Sequence, residues 1–320
     1  MLFSKIMKKK FDEVLGRYDG DPACYYFSPK DFPDINVESY DIPGDRGITL
    51  KGYFYYYNVL NPSKLVIFDH GIGAGHLAYF KEIEYLAKNG YTVYSYDHTG
   101  CVETGGNGIL GFAQGVNDLD HVLATLKQDE RFANIPFKLV GHSWGAYSAM
   151  NVVPFHPEVT HVVSLAGFLS AKALVEQYIP NMFMRYSPEV MDRERMNNPQ
   201  YADLDARDSL KRSTCKLLHL QSHDDKKVTF ELCTPLLEKA LAGRHDTTFI
   251  KLNGRNHEPN HTKAAAVAYE KLVQDLAQAR KKKKLSTPQE QKAFMQAQNW
   301  DAITEQDPEI WNKILDFLRN

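Results

Sequence analysis

The sequence predicts an α/β protein, a mostly parallel sheet flanked by helices, on three observations. Compact apolar runs recur at KLVIFDH (64–70), YTVYSYD (91–97), FKLV (137–140), HVVSLAG (161–167), CKLLHLQ (215–221) and TTFIKL (247–252). Runs this short, bounded by turn residues, suit buried strands better than helices. Helically spaced segments separate them, such as Leu77, Phe80, Ile83, Leu86 and Ala87 ahead of the Asn89-Gly90 turn. Strands joined through helices imply right-handed crossovers and a parallel sheet covered on both faces.

Taken in order, GITLKGYFYYY (47–57) reads as a strand in a hairpin with 36–42, which adds an antiparallel edge. Helices are expected over 76–89, around 115–130, from 144, near 228–242 and over about 262–280. Residues 168–212 exceed what a crossover needs. Helical pieces broken by Pro180, Pro188 and Pro199 predict a helical cap insertion over the sheet's carboxyl edge. Residues 281–320 predict a helical C-terminal extension. Thr287-Pro288-Gln289-Glu290 is a capping box with proline at the first helical position, and Asp307-Pro308-Glu309 repeats that logic. Trp311, Ile314, Leu315 and Leu318 give the last helix an apolar stripe that packs on the body. The lysines at 281–284 read as a solvated helix end, favoured by the helix dipole. The first forty residues show no clear pattern, and packing beneath the sheet is the expectation for them. The whole chain, 1–320, is read as one domain.

Of 320 residues, 43% are apolar and 12% aromatic, enough for a sizeable core and against global disorder. Lys and Arg number 38 against 40 Asp and Glu, so no global basic field exists to attract nucleic acid. Cys24, Cys101, Cys215 and Cys233 lie far apart, without the spacing of a disulfide framework or a structural zinc site. Four reduced thiols fit that pattern. No apolar stretch has the length of a signal peptide or a membrane span. A soluble, cytoplasmic protein without stable membrane insertion is the expectation, its oligomeric state open.

Gly141-His142-Ser143-Trp144-Gly145 follows an apolar strand and precedes a helical stretch. A serine at such a turn projects its hydroxyl above the sheet, and the flanking glycines let strand and helix approach closely. Serine needs a base to remove its proton and an acid to orient that base. Ser222-His223-Asp224-Asp225 and Asn253-Gly254-Arg255-Asn256-His257 each follow a strand's carboxyl end, where functional groups gather in open parallel sheets. Asp224 or Asp225 is the acid on this reading, and His257 or His261 the base. His257-Glu258-Pro259-Asn260-His261 also spells H-E-x-x-H, a zinc protease pattern that needs both histidines on one helix face. Pro259 opposes such a helix. No metal or cofactor is expected. The loop His70-Gly71-Ile72-Gly73-Ala74-Gly75 lacks the third glycine of a dinucleotide fingerprint.

These motifs resemble the α/β-hydrolase fold over about residues 45–280, within the group of serine aminopeptidase-like hydrolases, lysophospholipases and monoacylglycerol lipases. The resemblance selects Asp225, because that group's acid is commonly followed three residues later by valine, here Val228. It places the base in a glycine-containing loop, hence His257, and leaves His261 a surface role near the last body helix. It implies backbone N–H donors at Ile72 and Trp144 for an oxyanion. Asp97-His98-Thr99-Gly100 matches the group's D-x-x-G turn, with Val102 standing where a second glycine is usual. Cap residues Tyr178, Ile179, Met182, Phe183 and Met184 would line an acyl pocket or pack the cap on the body. The implied activity is a serine hydrolase cleaving a small carboxylic ester, with lysophospholipid or monoacylglycerol as special cases. Peptide or amide cleavage, acyl transfer and non-catalytic ligand binding are the alternatives.

Overall fold

The apolar runs assemble into one eight-stranded sheet in a computed structural model, which describes residues 13–179, 184 and 187–320. The strands in chain order are β1 (Ile35–Ser39), β2 (Ile42–Pro43), β3 (Thr49–Leu50), β4 (Gly52–Tyr57), β5 (Leu65–Asp69), β6 (Thr92–Tyr96), β7 (Phe137–His142), β8 (Val159–Leu165), β9 (Lys216–Ser222) and β10 (Thr247–Leu252). Their order in the sheet is β1-β4-β6-β5-β7-β8-β9-β10, while β2 and β3 form a separate two-stranded ribbon. The pairings of β4 with β1 and β6 are antiparallel and the other five are parallel, as the hairpin and crossovers predict. The chain has the α/β-hydrolase fold.

Helices α1 (Phe80–Lys88), α2 (Gln114–Gln128), α3 (Trp144–Val152), α4 (Ala171–Tyr178), α5 (Ser187–Asn197), α6 (Ala206–Lys211), α7 (Thr234–Ala240), α8 (Lys263–Lys281), α9 (Pro288–Gln296), α10 (Trp300–Ile303) and α11 (Pro308–Arg319) flank the sheet or extend from it. Strand alternation splits the core into two layers. Ile67, Tyr94, Leu139 and Val162 face one layer, with α2 and α3. Val66, Phe68, Val93 and Val140 face the other, with α1 and α11. Burial on both faces makes the central strands continuous apolar runs, which is why they were legible as such. No helix among the described residues is long and apolar enough to cross a membrane.

Two features differ from the sequence expectation. Pro188 does not break a helix; it is the second residue of α5, where its missing N–H removes no intrahelical bond. Pro180 lies outside the described residues. The N-terminal segment does not simply pack beneath the sheet. Ala23 joins Leu272, Leu276, Leu285 and Ile303 in a third cluster, and Val14 and Tyr18 reach the cavity at the carboxyl ends of the strands.

Candidate active site

The turn between β7 and α3 holds Ser143 at φ 53°, ψ −109°, a left-handed backbone rarely adopted by a residue with a Cβ. Its neighbours make that turn feasible. A Cβ at Gly145 would run into the Asp69 carbonyl of β5, and one at Gly141 would meet the Gly145 carbonyl. The Ser143 N–H donates to Leu165 O on β8 at 2.8 Å, tying the turn to the sheet. Trp144 is the first residue of α3, so its N–H has no intrahelical acceptor.

Two loops bring the other candidates to this edge. After β9, the Asp225 side chain is buried; its Oδ2 lies 2.8 Å from His257 Nδ1, while Oδ1 accepts the N–H groups of Lys227 at 2.9 Å and Val228 at 3.0 Å. The valine three residues on therefore contributes its backbone N–H to the carboxylate. Asp224 turns the other way. It accepts the Ser222 hydroxyl and the N–H groups of Gly254 at 2.8 Å and Asn256 at 3.2 Å, stapling the two loops together. A carboxylate on Nδ1 fixes the imidazole proton there and leaves Nε2 basic. Ser143 and His257 line one cavity; among the described residues no hydrogen bond joins them.

His142 buttresses His257. Its ring packs edge-to-face on His257 at 4.9 Å, and its Nε2 lies 2.8 Å from the His257 carbonyl. That contact requires Nε2–H, so Nδ1 accepts from Tyr79 Oη at 3.0 Å. Burial lowers the His142 pKa to about 4, keeping it neutral.

Behind Ile72 and Trp144 lies a buried polar network that the sequence reading did not find. Its signal was present in the Asp69-His70 and Asp97-His98 pairs that end adjacent strands. His98 is fully buried, with Nε2 2.5 Å from Asp69 Oδ1 and Nδ1 3.2 Å from Asp118 Oδ2. Burial opposes its charge, but the two carboxylates outweigh it and push the His98 pKa up to about 9. Its backbone N–H donates to His70 Nε2 at 3.0 Å, and its ring lies 4.4 Å from the Trp144 ring. His70 donates from Nδ1 to Gly71 O at 2.7 Å, shaping the loop that carries Ile72. Asp97 is a turn residue, accepting the His76 N–H and ring and the Glu103 N–H. Val102, in the glycine's usual place, takes φ 38°.

The cavity holds about 560 Å³ and opens beside Ser143, His257 and Ile72. Phe112, Phe168, Leu174, Val175 and Val228 form its apolar wall, while Lys227, Glu258 and Tyr269 form a polar one. Burial opposes ionisation of Glu258, yet the surrounding His142 and Lys227 hold its pKa at about 2. Lys227 Nζ is 4.0 Å from its carboxylate. Tyr178 is among the residues lining the cavity, its hydroxyl donating to Lys227 O at 2.8 Å. Ile179 is instead buried in the core, and Met182 and Phe183 lie outside the described residues.

His261 is a correction. It lies just ahead of α8, as read, but does not sit on the surface: it is buried, with Nε2 3.1 Å from Glu82 Oε1. His257 and His261 thus face different carboxylates in a non-helical loop, and the helical H-E-x-x-H arrangement is not formed. No group of three or more His, Cys, Asp or Glu side chains is arranged to hold a metal ion among the described residues.

Solved structures place this architecture among the α/β hydrolases. An esterase of Pyrococcus furiosus is similar with a TM-score of 0.57 at 16% identity, over 83% of this chain and 97% of that one. An alpha/beta hydrolase from a Penicillium species gives 0.57 at 13% identity, over 89% and 98%. An acetyl xylan esterase from a Paenibacillus species gives 0.56 at 17% identity, over 73% and 82%. Residues 61–238 match the family described as serine aminopeptidase, S33, and the chain belongs to that family. The matched interval contains Ser143 and Asp225 and ends before His257. No curated protein sequence matches the chain significantly.

Proposed function

We propose that this hydrolase cleaves carboxylic esters with Ser143 as nucleophile, His257 as base and Asp225 as the group that orients it. The observation that carries the reading is the Asp225–His257 pair at 2.8 Å opening onto the cavity shared with Ser143. Ser143 Oγ attacks the carbonyl carbon and His257 Nε2 takes its proton. That proton passes to the leaving alcohol as the C–O bond breaks, giving an acyl-enzyme. Water then attacks the acyl carbon and loses a proton to His257; the bond to Ser143 Oγ breaks, Oγ takes that proton back and the acid leaves. The N–H groups of Ile72 and Trp144 are the proposed donors to the oxyanion. Removal of one such donor typically costs about a hundred- to thousand-fold in rate. No metal or cofactor has a step in this scheme.

The apolar wall and the esterase neighbours favour an ester, with lysophospholipid and monoacylglycerol among the candidates. A second reading, aminopeptidase or amidase action on the same residues, draws on the family and on Glu258, an ionised carboxylate in the cavity wall. Lys227 already neutralises that carboxylate in part, which favours the ester. A fluorophosphonate probe tests the nucleophile: wild type gains one adduct and Ser143→Ala gains none. Full labelling of Ser143→Ala would overturn the assignment. p-Nitrophenyl esters of rising chain length, compared with aminoacyl-anilides, then separate esterase from peptidase.

A further inference from the structure

Residues 13–18 form a strap over the cavity, contributed by a part of the chain that lies before the family match. Loop 100–112, which follows β6, holds it by main-chain bonds. Tyr18 N donates to Gly100 O at 2.9 Å, Val102 N to Tyr18 O at 2.9 Å and Ile109 N to Leu15 O at 3.0 Å. Arg17 grips the carbonyls of Thr104 at 2.8 Å, Gly106 at 3.1 Å and Val102. The approach is close enough that a Cβ on Gly108 would collide with the Leu15 carbonyl. The strap is therefore anchored to the same loop that delivers Phe112 to the apolar wall.

Val14 and Tyr18 are the strap residues that line the cavity. The Tyr18 hydroxyl is already committed, donating to Val14 O at 2.7 Å, which leaves the ring as the surface offered to a ligand. A branched aliphatic and a ring edge recognise hydrocarbon and supply no charge. The charged groups of the cavity, Lys227 and Glu258, belong to other loops.

We infer that the strap is a specificity element: Val14 and Tyr18 bound the space that receives the apolar substituent of the substrate and set the largest one admitted. The inference rests on the ester-hydrolase reading. In a closed apolar pocket one methylene changes discrimination by about 10- to 200-fold, so a change of wall shows clearly in relative rates.

The test measures kcat/KM for two ester series, p-nitrophenyl acetate through dodecanoate and acetates of rising alcohol length, on the full-length protein. Tyr18→Ala should raise the long-to-short ratio at least tenfold in one series, and Val14→Trp should lower it at least tenfold in the same series. Arg17→Ala, which releases the strap without altering a lining side chain, should shift the ratio in the direction of Tyr18→Ala. The series that responds identifies the side of the ester that meets the strap. Ratios unchanged within twofold in both Tyr18→Ala and Val14→Trp, or a uniform loss along each series, overturn the inference while fluorophosphonate labelling of Ser143 persists. Absence of labelling in the wild type would strike the hydrolase reading itself, so the two failures are distinct.

Discussion

Asp224 and Asp225 are neighbours in sequence with opposite duties. Asp225 has a backbone cradle for one oxygen and His257 for the other. Asp224 spends its oxygens on the Ser222 hydroxyl and the loop that carries His257; burial opposes its charge, but these donors hold its pKa below the usual range. In the proposed mechanism, Asp225→Asn presents the wrong hydrogen-bond pattern to Nδ1 and should lower kcat about 10⁴-fold, as the corresponding change does in a serine triad. Asp224→Asn keeps an acceptor for the loop, so its kcat should stay within about tenfold of wild type, with a stability loss of about 1 kcal/mol. Steady-state kinetics on an accepted ester and urea midpoints measure both. The reverse ranking of the two variants would exchange their roles. The sequence left these carboxylates open until a resemblance chose between them. Both stand after the same strand, and only the direction of each side chain distinguishes them.

Between elements, α5 and α2 meet through one carboxylate. Glu194 on α5 is buried and accepts the N–H groups of Phe112 at 2.8 Å and Ala113 at 3.1 Å, just ahead of α2. Burial raises its pKa to about 7, against the lowering effect of the two N–H groups. A carboxyl whose folded pKa lies above its unfolded value of 4.5 binds its proton more tightly in the folded state. Stability from this group is therefore full below about pH 4.5 and falls as pH rises to about 7, by about 3 kcal/mol in all. Glu194→Gln keeps an acceptor and cannot titrate. The stability of wild type minus that of the variant should decline across this window in urea melts, and parallel curves would sink the prediction. Glu194 had no signature in the sequence, because its burial depends on a loop 82 residues away. Local signals fared better. The Thr287 capping box forms as read, with Thr287 Oγ1 accepting the Glu290 N–H at 3.2 Å and the Glu290 carboxylate accepting the Thr287 N–H at 2.9 Å. Strands and caps are written in consecutive residues. The strap at Val14 and Tyr18 and the burial of His261 arise from pairings across the chain, which periodicity does not record.

At the scale of the molecule, the family match ends at residue 238, yet the proposed base lies beyond it and is braced by the C-terminal extension. Thr262 N donates to Glu305 O at 3.0 Å, and Asp307 N donates to Asn260 O at 2.8 Å. Glu82 on α1 collects Asn260, His261 and Gln306 at 2.9, 3.1 and 3.0 Å. Arg255 spans the loop, donating to the His261 carbonyl and pairing with Asp307 Oδ2 at 2.5 Å, with both side chains largely buried. Deleting the extension would also strip Ile310, Trp311, Ile314, Leu315 and Leu318 from the core, each contributing roughly 1.5–3 kcal/mol. A truncated chain would therefore report on folding alone. Asp307→Asn is more selective. Asparagine still caps α11, whose Glu309 and Ile310 N–H groups the Asp307 side chain now accepts. What it loses is the charge facing Arg255, in a pair partly screened by solvent, at a cost of about 1–2 kcal/mol. If the extension positions His257, Asp307→Asn should also lower kcat about tenfold with KM little changed, because the loop that carries the base loses a strut while the cavity walls stay in place. Asp307→Ala should cost about 1 kcal/mol more through loss of the cap, with no further fall in kcat. A variant destabilised to this extent but with wild-type kcat at low temperature would make the extension a structural staple with no hold on the base.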